Sequence, residues 1–361
     1  MSVKELQAFN FRNLSTAKVN FHSKLNFFIG GNGSGKSSLL ESLFYLGHGK
    51  SFRSTNVNSL INTSSDNFVV TVKTDSDNQL GIQRSQSGEI KIKINGVKHN
   101  KLSDLAKNVA IQVVTPESFK LFFGGPKERR KFIDLGLFHV KHSFPSDWKT
   151  FNRILKQRNA CLKNKVAGDQ YSYWTEEFCQ LSESIAQERS AYIEGLREEL
   201  LVWLKLFLPT IEDDITIQYL QGWHSKKELR EVLIVNKQRE YEKGYSLFGA
   251  HKFDVRFLLN NLTLEQRLSR GQQKLFLLAL TFAQTKLIEQ GKRVKPILLI
   301  DDVGAELDIN SRSIIANINN HLDCQTMITA IDRVALEPII PDNDNYKMFH
   351  VKHGHISAMS K

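Results

Sequence analysis

Eight consecutive residues, Gly30-Gly31-Asn32-Gly33-Ser34-Gly35-Lys36-Ser37, follow the apolar run Phe27-Phe28-Ile29 and lead into Ser38-Leu39-Leu40-Glu41-Ser42-Leu43. The pattern is GxxxxGK[ST], and each residue type in it has a physical reason. Glycines let backbone N–H groups converge on phosphate oxygens, and a helix that starts there points its positive end the same way. Lys36 is suited to reach the β- and γ-phosphates of a nucleotide, and the Ser37 hydroxyl to ligate Mg²⁺. A glycine turn capping a helix is the plainer explanation, but strand, loop and helix stand in the order that a triphosphate site requires.

A second pair of residues supplies complementary chemistry. The run Pro296-Ile297-Leu298-Leu299-Ile300 reads as a strand buried in the middle of a sheet, and it delivers Asp301 and Asp302 at its end. In a Walker B arrangement Asp301 holds Mg²⁺ through water, and Asp302 orients and deprotonates the attacking water. A rigid strand suits this work because in-line phosphoryl transfer depends on positioning and charge stabilisation. Alone, two acids at a strand end could equally cap a helix. Beside a phosphate loop they become a catalytic expectation.

The elements that must hold these groups fall into three stretches. Residues 1–125 are strand-rich: Phe68-Val69-Val70-Thr71-Val72 and Glu89-Ile90-Lys91-Ile92-Lys93-Ile94 read as strands, Asn95-Gly96 as a hairpin turn, and Val109–Val114 as another strand. Residues 126–245 carry long segments at helical spacing, such as Phe151, Ile154, Leu155 and Arg158, then Phe178, Leu181, Ile185 and Arg189. Lys165–Asp169 reads as the link of a short antiparallel arm. Residues 246–361 return to short motifs and buried strands. The expectation is an α/β ATPase head, interrupted by a mainly helical insertion.

Composition narrows the classes. The chain has 361 residues, 41% hydrophobic and 24% charged, enough to bury a sizeable core. No apolar run reaches the length of a membrane span, and the first residues lack a secretory signal, so a cytoplasmic protein without membrane contact is expected. Cys161, Cys179 and Cys324 are scattered, which argues against a disulfide framework or zinc site. A formal charge of +11 favours polyanionic partners without identifying them.

Further segments resemble the ABC ATPases. Leu268-Ser269-Arg270-Gly271-Gln272 is similar to the LSGGQ signature, with Arg270 for its first glycine, and it lies about 27 residues before the Walker B strand. Gln112, at the end of a strand, fits the Q-loop, and Glu306-Leu307-Asp308 the D-loop. Phe11-Arg12-Asn13-Leu14, Gly47–Arg53, Gly124–Asp134, Leu155–Asn159, Gly249–Asp254 and Asp301–Asp308 resemble the RecF family, in its order. That resemblance implies a head related to the SMC proteins, with a compact arm in place of a long coiled coil.

The resemblance also implies ATP and Mg²⁺ as ligands. ATP is expected on Gly30 through Ser37, Ser38, Arg12 and Asn13, with Mg²⁺ on Ser37, Gln112 and Asp301. Lys36, Gln112 and Asp302 are expected to act in catalysis. Two heads would close around two ATP molecules, with Ser269, Arg270, Gly271 and Gln272 of one copy meeting the γ-phosphate of the other and Asp308 coupling the sites. The family binds DNA near single-strand–double-strand junctions and works with RecO and RecR to load RecA. Two departures are visible: Ala250 replaces a proline, and Gln325–Ala330 occupies the H-loop position without a histidine. Slow hydrolysis is expected from the second.

Lys127, Arg129, Arg130, Lys131, Lys149, Arg153, Lys156 and Arg158 are spaced to share helix faces, and they are the candidate DNA contacts. Solvated faces, with Arg129 and Arg130 paired to acids, are the alternative for each. Two other functions fit parts of the pattern. A transporter's nucleotide-binding subunit shares the three ATPase motifs but not the basic balance, and an adaptor could bind ATP while scarcely hydrolysing it.

Overall fold

The computed structural model describes residues 2–115, 118, 125–211, 215–316 and 318–359, without the side chains of 305, 306 and 319. Gly124 of the family-like block and the Glu306 side chain therefore lie outside the described residues. The chain divides into two compact units, 1–119 with 270–361, and 120–269.

In the first unit the run Leu25-Asn26-Phe27-Phe28-Ile29 forms β3 (Leu25–Ile29), buried at every position. It pairs in parallel with β13 (Gln325–Ala330) on one side and β14 (Tyr346–Lys352) on the other. The sheet continues through β12 (Pro296–Ile300) to β8 (Ala110–Val114), all parallel, and ends on the other side in the antiparallel β15 (His355–Ala358). Strands buried on both faces need continuous apolar sequence, which is why β3 and β12 were legible as such.

A second sheet is antiparallel, in the order β2 (Leu14–Asn20), β1 (Val3–Phe11), β4 (Asn67–Thr74), β5 (Gln79–Ser85), β6 (Ile90–Ile94), β7 (Val97–His99). Its inward residues Leu6, Ala8, Val70, Val72, Leu80 and Ile82 join one core with Ile111, Ile297, Leu299 and Met327 of the first sheet. Helix α1 (Lys36–His48) contributes Leu39, Leu40, Leu43, Tyr45 and Leu46 to that core, and every residue from Ser38 to Gly47 is buried. Its buried polar residues Ser38, Glu41 and Ser42 are each hydrogen-bonded, as burial requires. The phosphate loop therefore leads into an element that cannot shift without disturbing the whole core.

The second unit holds the helices Pro126–Val140, Phe144–Lys163, Asp169–Phe207, Leu229–Val235 and Lys237–Lys243. The Phe144–Lys163 and Asp169–Phe207 helices double back through the expected link. This unit also contains a small sheet absent from the sequence reading: β9 (Ile215–Leu220), β10 (Asp254–Leu259) and β11 (Leu262–Thr263). The ladder from Asp254↔Leu220 to Leu259↔Ile215 ties 246–269 to the insertion, so the boundary expected at 245/246 lies instead at 269/270. Alternation of Ile215, Ile217 and Tyr219 was the available signal for β9, and its partner lies too far along the chain for local pattern to reveal.

Candidate nucleotide-binding site

The loop from Gly30 to Gly35 joins β3 to α1, and its glycines serve different ends. Gly33 and Gly35 have φ of 75° and 118°, the region that side-chain-bearing residues avoid. Gly31 has no such φ, and a Cβ there would meet nothing within 4 Å. Packing within the protein therefore does not require glycine at 31. Lys36 is buried, with Nζ donating to Gly30 O at 2.6 Å and Gly31 O at 3.0 Å. Burial pushes its ammonium below the usual lysine range, against the fields of Asp302 and Asp301.

The parallel pairing of β12 with β13 brings the carboxylates to the loop. Ser37 Oγ donates to Asp301 Oδ1 at 3.1 Å, and Thr329 Oγ1 donates to the same oxygen at 2.7 Å. Asp301 is 7% exposed, and burial raises its carboxyl above the ordinary range against the hydrogen bonds from Thr329 and Ser37. Asp302 follows in the left-handed conformation, φ 54°, with its backbone N–H donating to Thr329 Oγ1 at 2.8 Å. Its Oδ1 is buried without a hydrogen-bond partner. Ser34 Oγ and Gln112 Nε2 are likewise buried and unsatisfied. Buried orphan groups are rare in folded proteins, and three of them among the expected site residues fit a polar ligand that would satisfy them.

Mg²⁺ fits the donor set in the same way. A hydroxyl and a carboxylate meet at Ser37 and Asp301, and oxygen donors suit a hard cation. Among the described residues no group of three or more His, Cys, Asp and Glu is arranged to hold a metal. Phosphate oxygens would have to complete the coordination of a cation held by Ser37 and Asp301.

Other expected residues are placed less simply. Asn13 is a brace: Nδ2 donates to Gly33 O at 3.0 Å and Oδ1 accepts from Ser38 Oγ at 2.7 Å. Arg12 differs from the expectation of a nucleotide contact. Its guanidinium grips the fully buried Glu41 of α1 through Nε and Nη2, and Glu41 also accepts from Ser51 Oγ. An arginine held bidentately by a buried carboxylate anchors the β1–β2 turn to α1. Gln112 is not at its strand's end: it is the middle residue of β8, in register with Leu298, two residues short of the level of Ile300. Its carboxamide has no hydrogen bond to Ser37 or Asp301. Ser269, Arg270 and Gly271 are exposed at the start of the Arg270–Gln290 helix, and Gln272 is half-buried just inside it. Asp308 is exposed and caps the following helix, accepting from Ser311 N at 2.8 Å.

The DNA candidates separate sharply. Arg158 is fully buried, with Nη2 donating to Glu240 at 2.6 Å and Nη1 to Ser246 Oγ at 2.5 Å. It cannot track a phosphate backbone. Arg129 lies in a bidentate pair with Asp254, Arg130 donates to Phe253 O, and Lys131 pairs with Glu128 at 2.5 Å. Arg129, Arg130 and Arg158 are corrected from the list as structural groups, while Lys131 stays exposed beside Glu128. Lys127, Lys149, Arg153 and Lys156 are exposed. Thr329 is the site residue that sequence reasoning missed. It stood in the segment noted only for lacking a histidine.

Residues 2–357 match the family described as RecF/RecN/SMC N terminal domain. The DNA replication and repair protein RecF of Colwellia psychrerythraea strain 34H is 58% identical over 367 residues, covering 99% of this chain and 97% of that protein. The chain belongs to the RecF family. RecF of Pseudoalteromonas translucida is 39% identical over 99% of both chains. A solved structure of the recombination mediator protein RecF with ATP, in the RecFOR pathway, superposes with a TM-score of 0.84 at 25% identity, covering 99% of this chain and 98% of the other. An SMC head domain of Pyrococcus furiosus with an extended coiled coil, bound to the C-terminal domain of ScpA, gives 0.57 at 14% identity and shows shared fold alone. This RecF-family chain therefore has the ABC/SMC ATPase head fold. No described helix is long and apolar enough to cross a membrane.

Proposed function

We propose that this chain is an ATP-dependent DNA-binding protein of recombinational repair and replication restart. It dimerises on ATP, holds gapped DNA and single-strand–double-strand junctions, and helps RecO and RecR load RecA. The observation that carries the ATPase part is the bond from Ser37 on the phosphate loop to the buried Asp301, with Asp302 beside it. The family relatives named for DNA replication and repair, and the RecF–ATP structure, support the rest.

In this reading ATP lies on the Gly30–Ser38 loop with Lys36 against its phosphates, and Asp302 accepts a proton from the attacking water. Mg²⁺, when bound, neutralises phosphate charge from Ser37 and Asp301. Turnover is slow, because Gln325–Ala330 occupies the H-loop position without a histidine and Asp302 stands where a longer glutamate would reach further. Ser269 and its neighbours, exposed on the surface, meet the partner's nucleotide. Ile309, Ile331 and Val334 expose apolar surface of 64%, 44% and 67% in the segments that follow Asp308 and β13, as a contact face would.

DNA is held by the outer face of the Phe144–Lys163 helix. Lys149, Arg153, Lys156 and Lys163 are exposed and recur at spacings of four, three and seven residues. They lie opposite the buried Phe151, Ile154, Arg158 and Cys161. A stripe about 21 Å long follows from the helical rise, enough to meet several phosphates.

Sizing the protein with ATP, ADP or no nucleotide, each with and without gapped DNA, tests the reading. A dimer is expected with ATP only, with DNA retained best in that state. Ser269→Arg is expected to stay monomeric with ATP. Equal size in all three nucleotide conditions would count against the clamp and for an adaptor.

A further inference from the structure

Two hairpins of the head unit end in the same kind of turn. Asn95–Gly96 joins β6 to β7 with φ of 50° and 82°, and His353–Gly354 joins β14 to β15 with φ of 49° and 79°. Positive φ at both central residues is the type I′ geometry that suits two-residue hairpins. Their surroundings differ completely. A Cβ at Gly96 would meet nothing within 4 Å, whereas one at Gly354 would lie 2.3 Å from the backbone oxygen of Asn13.

The C-terminal hairpin touches the phosphate loop at both of its ends. Gly354 N donates to Ser34 O at 2.8 Å. A Cβ on Gly35 would lie 3.4 Å from Gly354 Cα, and one on Gly30 would lie 2.1 Å from Val351 O. The first glycine of the loop is thus required by β14. A peptide group is planar and trans, so its C=O and the next N–H point in opposite directions. Holding Ser34 O against the hairpin therefore aims the Gly35 N–H away from it. The other wall is the β1–β2 turn, whose Asn13 holds Gly33 O and Ser38 Oγ.

We propose that the His353–Gly354 turn braces the phosphate loop, and that Gly354 is a positioning residue for ATP. This rests on the reading that the loop binds ATP. Any side chain at 354 drives the turn and the Asn13 backbone apart. That breaks the alignment of the Gly354 N–H with Ser34 O, and the loop's N–H groups lose the direction in which they meet phosphate. Asp301, Asp302 and Thr329 hydrogen-bond to one another and to Ser37 and not to the turn, so the fault falls on binding and spares the chemical step.

The matched turn provides the control. Gly354→Ala, Gly354→Asn, Gly96→Ala and Gly96→Asn are compared with wild type for Kd of mant-ATP with Mg²⁺, and for KM and kcat of ATP hydrolysis. Ala carries the backbone strain of positive φ at either turn, while Asn tolerates that conformation and still carries a Cβ. Both Gly354 variants are expected to raise Kd and KM about tenfold or more, with kcat within about threefold, and both Gly96 variants to stay within about twofold of wild type. Wild type that fails to bind mant-ATP sinks the nucleotide reading itself. If wild type binds, the brace is overturned by Gly354→Asn binding within twofold, by equal losses at Gly96, or by loss of kcat with KM unchanged. It is also overturned if circular dichroism shows the Gly354 variants unfolded while the Gly96 variants fold, since the turn would then hold the fold and not the loop.

Discussion

Thr329 Oγ1 stands between the two carboxylate residues, donating to Asp301 Oδ1 at 2.7 Å and accepting from the backbone N–H of Asp302 at 2.8 Å. One hydroxyl thus orients the buried carboxylate and holds the left-handed backbone of its neighbour. Thr329→Val keeps the shape and removes both bonds, leaving the Asp302 N–H unpaired. A group that orients a metal-side carboxylate is worth about 10–100-fold in affinity or activity. The variant is expected to fold, to bind ATP nearly as wild type, and to hydrolyse it at least about tenfold more slowly. Unchanged hydrolysis in a folded variant would show that the hydroxyl only fills space.

Asp301 is expected to lower stability at neutral pH. Its folded carboxyl titrates above its unfolded value because of burial, so between those two values the native state binds more protons than the unfolded one. Stability then falls as pH rises through that window. Asp301→Asn removes the charge and keeps an acceptor for Thr329 and Ser37. Thermal melting should show the variant more stable than wild type at pH 7–8, with the gap closing as pH falls towards the ordinary carboxylate range, while hydrolysis is lost. A variant less stable than wild type at pH 8 would refute the cost assigned to burial.

Two half-buried histidines work in the opposite direction. Burial depresses His48 and His251 to about 4, and both remain neutral in the fold. Between about 6.5 and 4 the unfolded chain binds more protons than the native one, so stability declines as pH falls through that window. His251→Gln should flatten this decline in denaturant titrations at pH 7, 6 and 5, and a slope equal to wild type would rule out His251 as its source.

Arg158 and Glu240 form a pair with no exposed side-chain surface. Removing one member of a buried pair strands the other, at a cost of about 3–5 kcal/mol. Arg158→Ala should lower the midpoint of urea unfolding accordingly, with DNA affinity per folded molecule unchanged. Loss of DNA binding at unaltered stability would return Arg158 to the interface.

The stripe on the Phe144–Lys163 helix is tested by salt. Lys149→Gln, Arg153→Gln, Lys156→Gln and Lys163→Gln should each weaken DNA binding and reduce the slope of log Kobs against log salt by about one unit. Lys131→Gln, at a residue already paired with Glu128, should leave the slope alone. A flat response across all four stripe variants would place the DNA elsewhere.

The phosphate loop, the acidic strand end and the alternation of strand-rich and helical stretches were legible because each is a local pattern. Strand, glycine turn and helix follow one another within a few residues, and buried parallel strands announce themselves as apolar runs. Even the burial of Arg158 was written there, since it shares a helix face with Phe151 and Ile154. A charged residue type outweighed that periodicity in the reading.

What the chain order alone could not decide were contacts between segments distant in sequence. Thr329 reaches Asp301 only because β13 lies beside β12 in parallel register, and Gly354 reaches Ser34 only because β14 flanks β3. The edge between head and insertion moved for the same reason, as β10 found its partner in β9. Local pattern specifies which elements form; the pairing of elements, which brings remote side chains within hydrogen-bond distance, specifies which residues act together.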